Sequence, residues 1–213
     1  MSTNAILTRE EAMAIVEKAV KWSKADAVDV QINTYTQGNI RFADNQVSTA
    51  GSTTDAQLGV QSAFGPKHAV VTTNDLSDEA IKRAVEQSER IAKLAPDDPE
   101  AMPQLGKQTY APVNAFFEST ANLSADDRAK AALIALEMAR KAGDVKAAGY
   151  LVSGAGALAI GNSTGMFAYH RATNVNYTLT ARTTDGTGSG WAAADHPDWA
   201  QLDARRVATR AVE

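Results

Sequence analysis

Residues 145–195 decide most of what this chain can become. They form runs in which apolar and polar residues alternate, broken at Asn162-Ser163-Thr164-Gly165 and again at Gly186-Thr187-Gly188-Ser189-Gly190. Alternation of period two sends successive side chains to opposite faces of a strand, so such runs build a sheet with one covered and one wet face. Residues 27–73 read as an earlier copy. Asn45 stands in a turn between Ile40-Arg41-Phe42-Ala43 and Gln46-Val47-Ser48, as Asn162 does between Leu158-Ala159-Ile160 and Met166-Phe167-Ala168. Thr8-Arg9-Glu10-Glu11 precedes the first copy and Ser124-Ala125-Asp126-Asp127 the second, and Arg83-Ala84-Val85-Glu86 recurs as Arg210-Ala211-Val212-Glu213. Self-similarity at a long period marks repeated supersecondary units. The expected fold is α+β, an internal duplication of two helix, antiparallel β-meander, helix units over residues 1–95 and 124–213, joined by a proline-rich connection over 96–123.

The elements follow from local signals. Thr8 with Glu11 three residues on is a capping box, and Ala12, Ile15, Val16 and Ala19 recur at helical spacing, which predicts a helix over 8–24. Val28, Val30 and Ile32 then alternate with Asp29, Gln31 and Asn33. Gln37-Gly38-Asn39 reads as one turn and Asp44-Asn45 as the next, and Ala56, Leu58 and Val60 form a further strand ahead of Gly65-Pro66. Residues 68–73 close the first sheet. Short connections make neighbouring strands antiparallel.

A second helix begins near Ser77 with the face Ile81, Ala84, Val85, Ser88 and Ile91 or Ala92. Four of the six prolines fall in 95–123, where no period persists, so this segment is expected along the surface with Phe116 and Phe117 as anchors. A third helix spans 124–142 with Ala129, Ala132, Leu133 and Leu136 as its face and Gly143 as its stop. Strands are expected at 145–153, 157–161, 166–171 and 174–183, with one more at 191–194. Asp198 with Gln201 is placed to cap a fourth helix carrying Ala204, Val207, Ala208 and Ala211. That pattern stops in mid-helix at Glu213, the mark of a piece of a longer polypeptide.

Composition removes several classes of function. A net charge of −4 argues against a nucleic-acid surface, which needs clustered Lys and Arg. No cysteine is present, so disulfides and thiolate metal sites are out, as fits a reducing compartment. Met1-Ser2-Thr3-Asn4-Ala5-Ile6-Leu7 has no charged n-region, and no run approaches a membrane span. The expected location is the cytoplasm, with no membrane partner.

Catalytic signals are weak. His68, His170 and His196 stand alone, without a second ligand at helical spacing, so no metal site is assigned. Ser163 lacks a nucleophile elbow, and the 186–190 glycine loop lacks both the P-loop lysine and dinucleotide spacing, so no catalytic or cofactor-binding residue is assigned. Asn45, Asn162, Ser163 and Gly165 are turn residues whose only candidate role is at a peptide or interface turn. Exposed sheet edges offer another route, since an extended peptide can add to them through main-chain hydrogen bonds.

One further signal lies in particular strings. Ala25-Asp26-Ala27-Val28-Asp29-Val30 leads into Asn39-Ile40-Arg41-Phe42-Ala43-Asp44-Asn45-Gln46-Val47, then Val71-Thr72-Thr73-Asn74-Asp75-Leu76-Ser77, with Asn162-Ser163-Thr164-Gly165 and Gly188-Ser189-Gly190-Trp191 in the second copy. With these the chain resembles the N-terminal half of the TldD/PmbA family, named for modulation of DNA gyrase and also described as metallopeptidases. The resemblance implies an α+β protein about twice this length, working as a homodimer or as a heterodimer with a family partner. Active members of such a family cleave unfolded peptides with a divalent metal, zinc being expected, on a His-Glu-x-x-x-His helix in the C-terminal half. That motif is absent here, so the segment alone is expected to be inactive. It would be the non-catalytic part of an active peptidase, shaping a peptide channel and a subunit interface, or half of the metal-free partner subunit. The alternative is a stand-alone peptide-binding or assembly module that uses a sheet edge.

Overall fold

In the computed structural model, which describes residues 6–213, two helices are fixed at their first turns by side chains the sequence supplies for the purpose. Helix α1 (Arg9–Trp22) opens at Thr8, whose hydroxyl accepts from Glu11 N at 3.2 Å while Thr8 N donates to the Glu11 carboxylate at 2.8 Å. Ser124 and Asp127 make the same reciprocal pair before a later helix, at 3.1 and 3.2 Å. Each box satisfies two of the N–H groups that a helix start leaves without partners. Residues 1–5, most of the stretch read as free of a targeting signal, lie outside the described residues. No helix among the described residues is long and apolar enough to cross a membrane.

After α1 come β1 (Ala27–Ala43), β2 (Gln46–Phe64), β3 (Lys67–Thr73) and α2 (Asp78–Leu94). The short α3 (Glu118–Ala121) precedes α4 (Ala125–Lys141), β4 (Val145–Asn162), β5 (Phe167–Thr183), β6 (Ser189–His196), a single 3-10 turn at Trp199–Gln201 and α5 (Ala204–Val212). The six strands form one antiparallel sheet in the order β3-β2-β1-β4-β5-β6. The α+β expectation holds. Register is set by hairpins: Phe64 faces Lys67 across the Gly65-Pro66 turn, and Arg182 faces Ser189 across the glycine-rich one.

The strands are longer than their punctuation implies. Gln37-Gly38-Asn39 does not turn the chain, since β1 runs through it for 17 residues, with its even-numbered residues buried from Val28 to Thr34 and from Gly38 to Phe42 and Thr36 half-buried between them. Gly38 leaves room in the strand for the Arg128 guanidinium, since a Cβ there would lie 2.3 Å from Cζ of Arg128. Likewise 145–153 and 157–161 are one strand, and so are 166–171 and 174–183, beginning at Phe167. The small residues between the expected pieces keep alternation rather than break it. Asp44 and Asn45 do turn, with φ of 49° and 59°.

Three helix expectations shift. The buried face of α4 is Arg128, Ala131, Ala132, Ala135, Leu136 and Ala139, and Leu133 is 47% exposed. Alanines and one arginine set the phase, letting the helix backbone approach the sheet closely, and Leu133 is rotated away. In α2 the choice falls to Ala92, fully buried, with Ile91 outward. Asp198 caps only the 3-10 turn, and α5 is capped by Asp203, which accepts from Arg206 N at 3.0 Å.

Two compact units share the chain, and each is discontinuous in sequence. The first takes the chain up to Tyr35, Thr54–Val113 and Gly156–Arg171. Its core packs Val28, Val30, Ile32, Leu58 and Val60 under Ala12, Val16, Ala19, Ile81 and Val85. The second takes Thr36–Thr53, Asn114–Ala155 and Ala172–Glu213. Its core packs Ile40, Phe42, Leu151, Tyr177 and Leu179 under Ala132, Ala135, Leu136, Val207 and Ala208.

Phe42 is 1% exposed, tilts against Tyr177 at 6.4 Å between ring centroids, and fills the space that a Cβ on Gly149 would need. Phe42→Ala should lower unfolding stability by about 3–5 kcal/mol, measured by urea denaturation.

Candidate functional site

In the first unit α1 and α2 pack on the buried face of the strands, and the opposite face of the sheet is polar. The odd-numbered residues of β1 point there because the even ones are taken by the core, and they are polar: Asp29, Gln31 and Asn33. Gln57 and Gln61 from β2 join them, with Val70 and Thr72 from β3 and Ile160 from β4. Register places Gln61 opposite Val70 and Gly59 opposite Thr72. The result is a hollow of about 230 Å³ whose polar lining is mostly carboxamide.

The proline-rich connection walls a larger hollow of about 550 Å³ that shares Asp29 and Gln61 with the first. Its other lining includes His68, Asp98, Met102 and Gln104. Particular bonds hold the connection down. Asp98 N donates to Pro66 O at 3.1 Å, and the His68 ring lies 3.7 Å from the Asp98 carboxylate. Gln104 donates through Nε2 to Asp29 at 2.8 Å and accepts from Ser163 Oγ at 2.8 Å.

Three of the four turn residues singled out in the sequence meet here. Asn162 donates from Nδ2 to Leu105 O at 2.9 Å, and its Oδ1 accepts from Met166 N at 3.0 Å and Thr164 N at 3.2 Å. Ser163 Oγ also accepts from Val28 N at 3.1 Å, and Ser163 N donates to Val28 O at 2.9 Å. Gly165 carries the left-handed turn with φ of 88°. Asn162 is the 5%-exposed last residue of β4 and has no positive φ, so its place rests on its amide rather than on backbone tolerance. Asn45 lies in the second unit. There it donates to Val145 O at 3.0 Å and accepts from Ala147 N at 2.8 Å, and its carbonyl accepts from Arg140 at 3.0 Å.

The histidines do not converge. His170 is exposed, and His196 accepts at Nδ1 from Asp198 N at 2.9 Å. Among the described residues no three His, Asp or Glu side chains gather where a metal ion could be held.

The glutamines and Asn33 stand out as a group only once β1, β2 and β3 are side by side. Alternation put Asp29, Gln31 and Asn33 on a wet face, but nothing local tied them to Gln57 or Gln61. Arg128 gave no signal at all, being one charge among many at a helix start.

Two domain models of one family match this chain: the PmbA/TldA metallopeptidase domain 1 over residues 28–92 and the PmbA/TldA metallopeptidase central domain over residues 118–213. The chain belongs to the TldD/PmbA family. No curated protein matches it in sequence. Among solved structures it is similar to TldE from Thermococcus kodakarensis, with a TM-score of 0.83 and 16% identity over 94% of this chain and 46% of that one. A Thermotoga maritima protein named as a modulator of a DNA gyrase gives 0.79 and 15% over 96% and 47%, and one so named from Bacteroides thetaiotaomicron gives 0.78 and 13% over 97% and 49%. At such identities the likeness is one of fold. The chain spans about half the length of these structures.

Asn162→Ala would strip Met166 N of a side-chain partner and leave Leu105 O to Thr164 alone. It should cost about 1–3 kcal/mol and speed limited tryptic cleavage after the exposed Lys107, followed by gel and mass spectrometry.

Proposed function

We propose that this chain is the non-catalytic part of a TldD/PmbA-type metallopeptidase and that its open sheet face holds a stretch of unfolded peptide as one wall of a peptide channel. The observation that supports it is the set of carboxamides at Gln31, Asn33, Gln57 and Gln61 around one hollow. A carboxamide both donates and accepts, as a peptide bond does, so such a surface can pair with an extended backbone whatever its side chains. Val70 and Ile160 offer apolar contact between them. Sequence-tolerant grip is what a peptidase for unfolded chains requires.

On this reading hydrolysis belongs to a divalent metal, zinc, held in the catalytic half of the complete cytoplasmic protein. The complete protein acts as a homodimer or with a family partner, and the present chain contributes to that interface. Whether it is half of the active subunit or of the metal-free one does not alter what the cleft does. Matching halves support an internal duplication: each has a capped helix, two long strands, a short edge strand and a closing helix, in an order symmetric about β1 and β4. The net charge of −4 gives no support to duplex DNA as a partner.

The stand-alone alternative uses strand addition at β3 or β6, each with a single neighbour in the sheet. The two readings part on which residues matter. Calorimetry of the chain with an unstructured peptide should show binding that a chelator leaves unchanged. Replacing Gln31, Gln57 and Gln61 together by Ala should weaken it about tenfold or more, at roughly 0.5–1.5 kcal/mol per hydrogen bond. Equal affinity of the triple variant and the parent, with both folded, would remove the cleft from the account. No peptide cleavage by this chain is expected.

A further inference from the structure

Arg128 projects from α4 into the interior of the second unit and is only 5% exposed. Its guanidinium lies over β1 at Gly38, in space that any other residue's Cβ would occupy. Nη1 donates to Leu123 O at 2.9 Å and to Ser153 Oγ at 3.3 Å, while the buried Nε has no hydrogen-bond partner. Among the described residues no carboxylate lies within ion-pairing distance of it. Burial holds its pKa below the usual arginine value, with the charge of Asp127 acting weakly the other way.

Arginine does not escape this cost by giving up its proton. A buried charge needs an opposite charge or a full set of hydrogen bonds, and removing either is strongly destabilising. The guanidinium borders a hollow of about 90 Å³, lined also by Gln37, Ser52, Thr120, Ser153 and Gly154. At roughly 30 Å³ per water, that space takes a few waters or one small planar acid. A planar carboxylate is the anion that the planar fork of a guanidinium binds best, through charge-assisted N–H···O bonds.

We propose that Arg128 is the base of a carboxylate-binding pocket in the second unit, taking a small organic acid or the C-terminal carboxylate of a peptide. Glycine at 38 is the sequence device that admits the guanidinium, and Ser153 and Leu123 O orient it. The pocket belongs to the second unit and does not depend on peptide binding in the amide-lined cleft of the first.

The test uses the unmodified chain, with the Arg128 Nε–H resonance followed by heteronuclear NMR during titration with acetate. Acetamide is the uncharged control and inorganic phosphate the competing anion. Acetate should shift the Arg128 signal saturably and raise Tm with concentration, as ligands selective for the native state do. Acetamide should do neither. Short peptides with free and amidated C-termini identify the source: a stronger response to the free form points to a peptide end, and equal weak responses to a small acid. Arg128→Lys keeps the charge without the fork and should weaken the acetate response about tenfold. Arg128→Gln should abolish it. No shift with acetate in the parent chain, or the same shift with acetamide or phosphate, overturns the proposal whether or not the variants fold.

Discussion

The even-numbered residues of β1 are buried from Val28 to Thr34 and again from Gly38 to Phe42, and the core of each unit inherits that phase. A one-residue slip would send Val30, Ile32, Ile40 and Phe42 to water and bring Gln31, Asn33 and Arg41 inside. The cost of misplacing that many apolar side chains, each worth about 1.5–3 kcal/mol of burial, is beyond what a domain of this size can absorb. Phase alone therefore decides which residues are available to a ligand. The polar face is what remains once the core has been filled.

Small residues make that continuity possible. Gly38 admits an arginine, Gly149 admits the ring of Phe42, and the alanines of α4 bring its backbone close to the strands beneath. Each looks like a break or a weak position in a linear reading, because glycine costs strand stability when nothing occupies the space it frees. Here the occupant comes from a residue far along the chain. Leu133 faces outward while Leu136 is buried, because the run of alanines at 131, 132, 135 and 139 fixes which side of α4 meets the core. Close approach of a helix to a sheet is decided by what is small, not by what is greasy.

Local chemistry was legible and long-range chemistry was not. The capping boxes at Thr8 and Ser124, the turn at Asp44-Asn45, the stop at Gly143 and the alternation along β1 and β5 are written in residues within a few positions of one another. The fusion of short expected strands into long ones at β1, β4 and β5 brings together residues far apart in the chain, such as Gly38 and Arg128, which no spacing rule contains. For the candidate site the division is the same. Asn162 and Ser163 could be picked out as turn residues, but their bonds to Leu105 and Gln104 become visible only when the connection is laid across the sheet. The carboxamides were visible singly as wet-face residues and gained meaning as neighbours.

The amide-rich lining of the cleft has a consequence for the conditions under which it can operate. Carboxamides carry no proton to gain or lose near neutrality, and a contact between uncharged dipoles is little weakened by dissolved ions. A surface built from them keeps its grip through acidification or changes in salt that would disable one built from lysines and carboxylates. Asp29, which accepts from Gln104, is the one carboxylate among the residues lining the smaller hollow. On the proposed reading, such a surface carries little charge with which to choose among peptides, so discrimination would come from shape and from how extended the bound chain is.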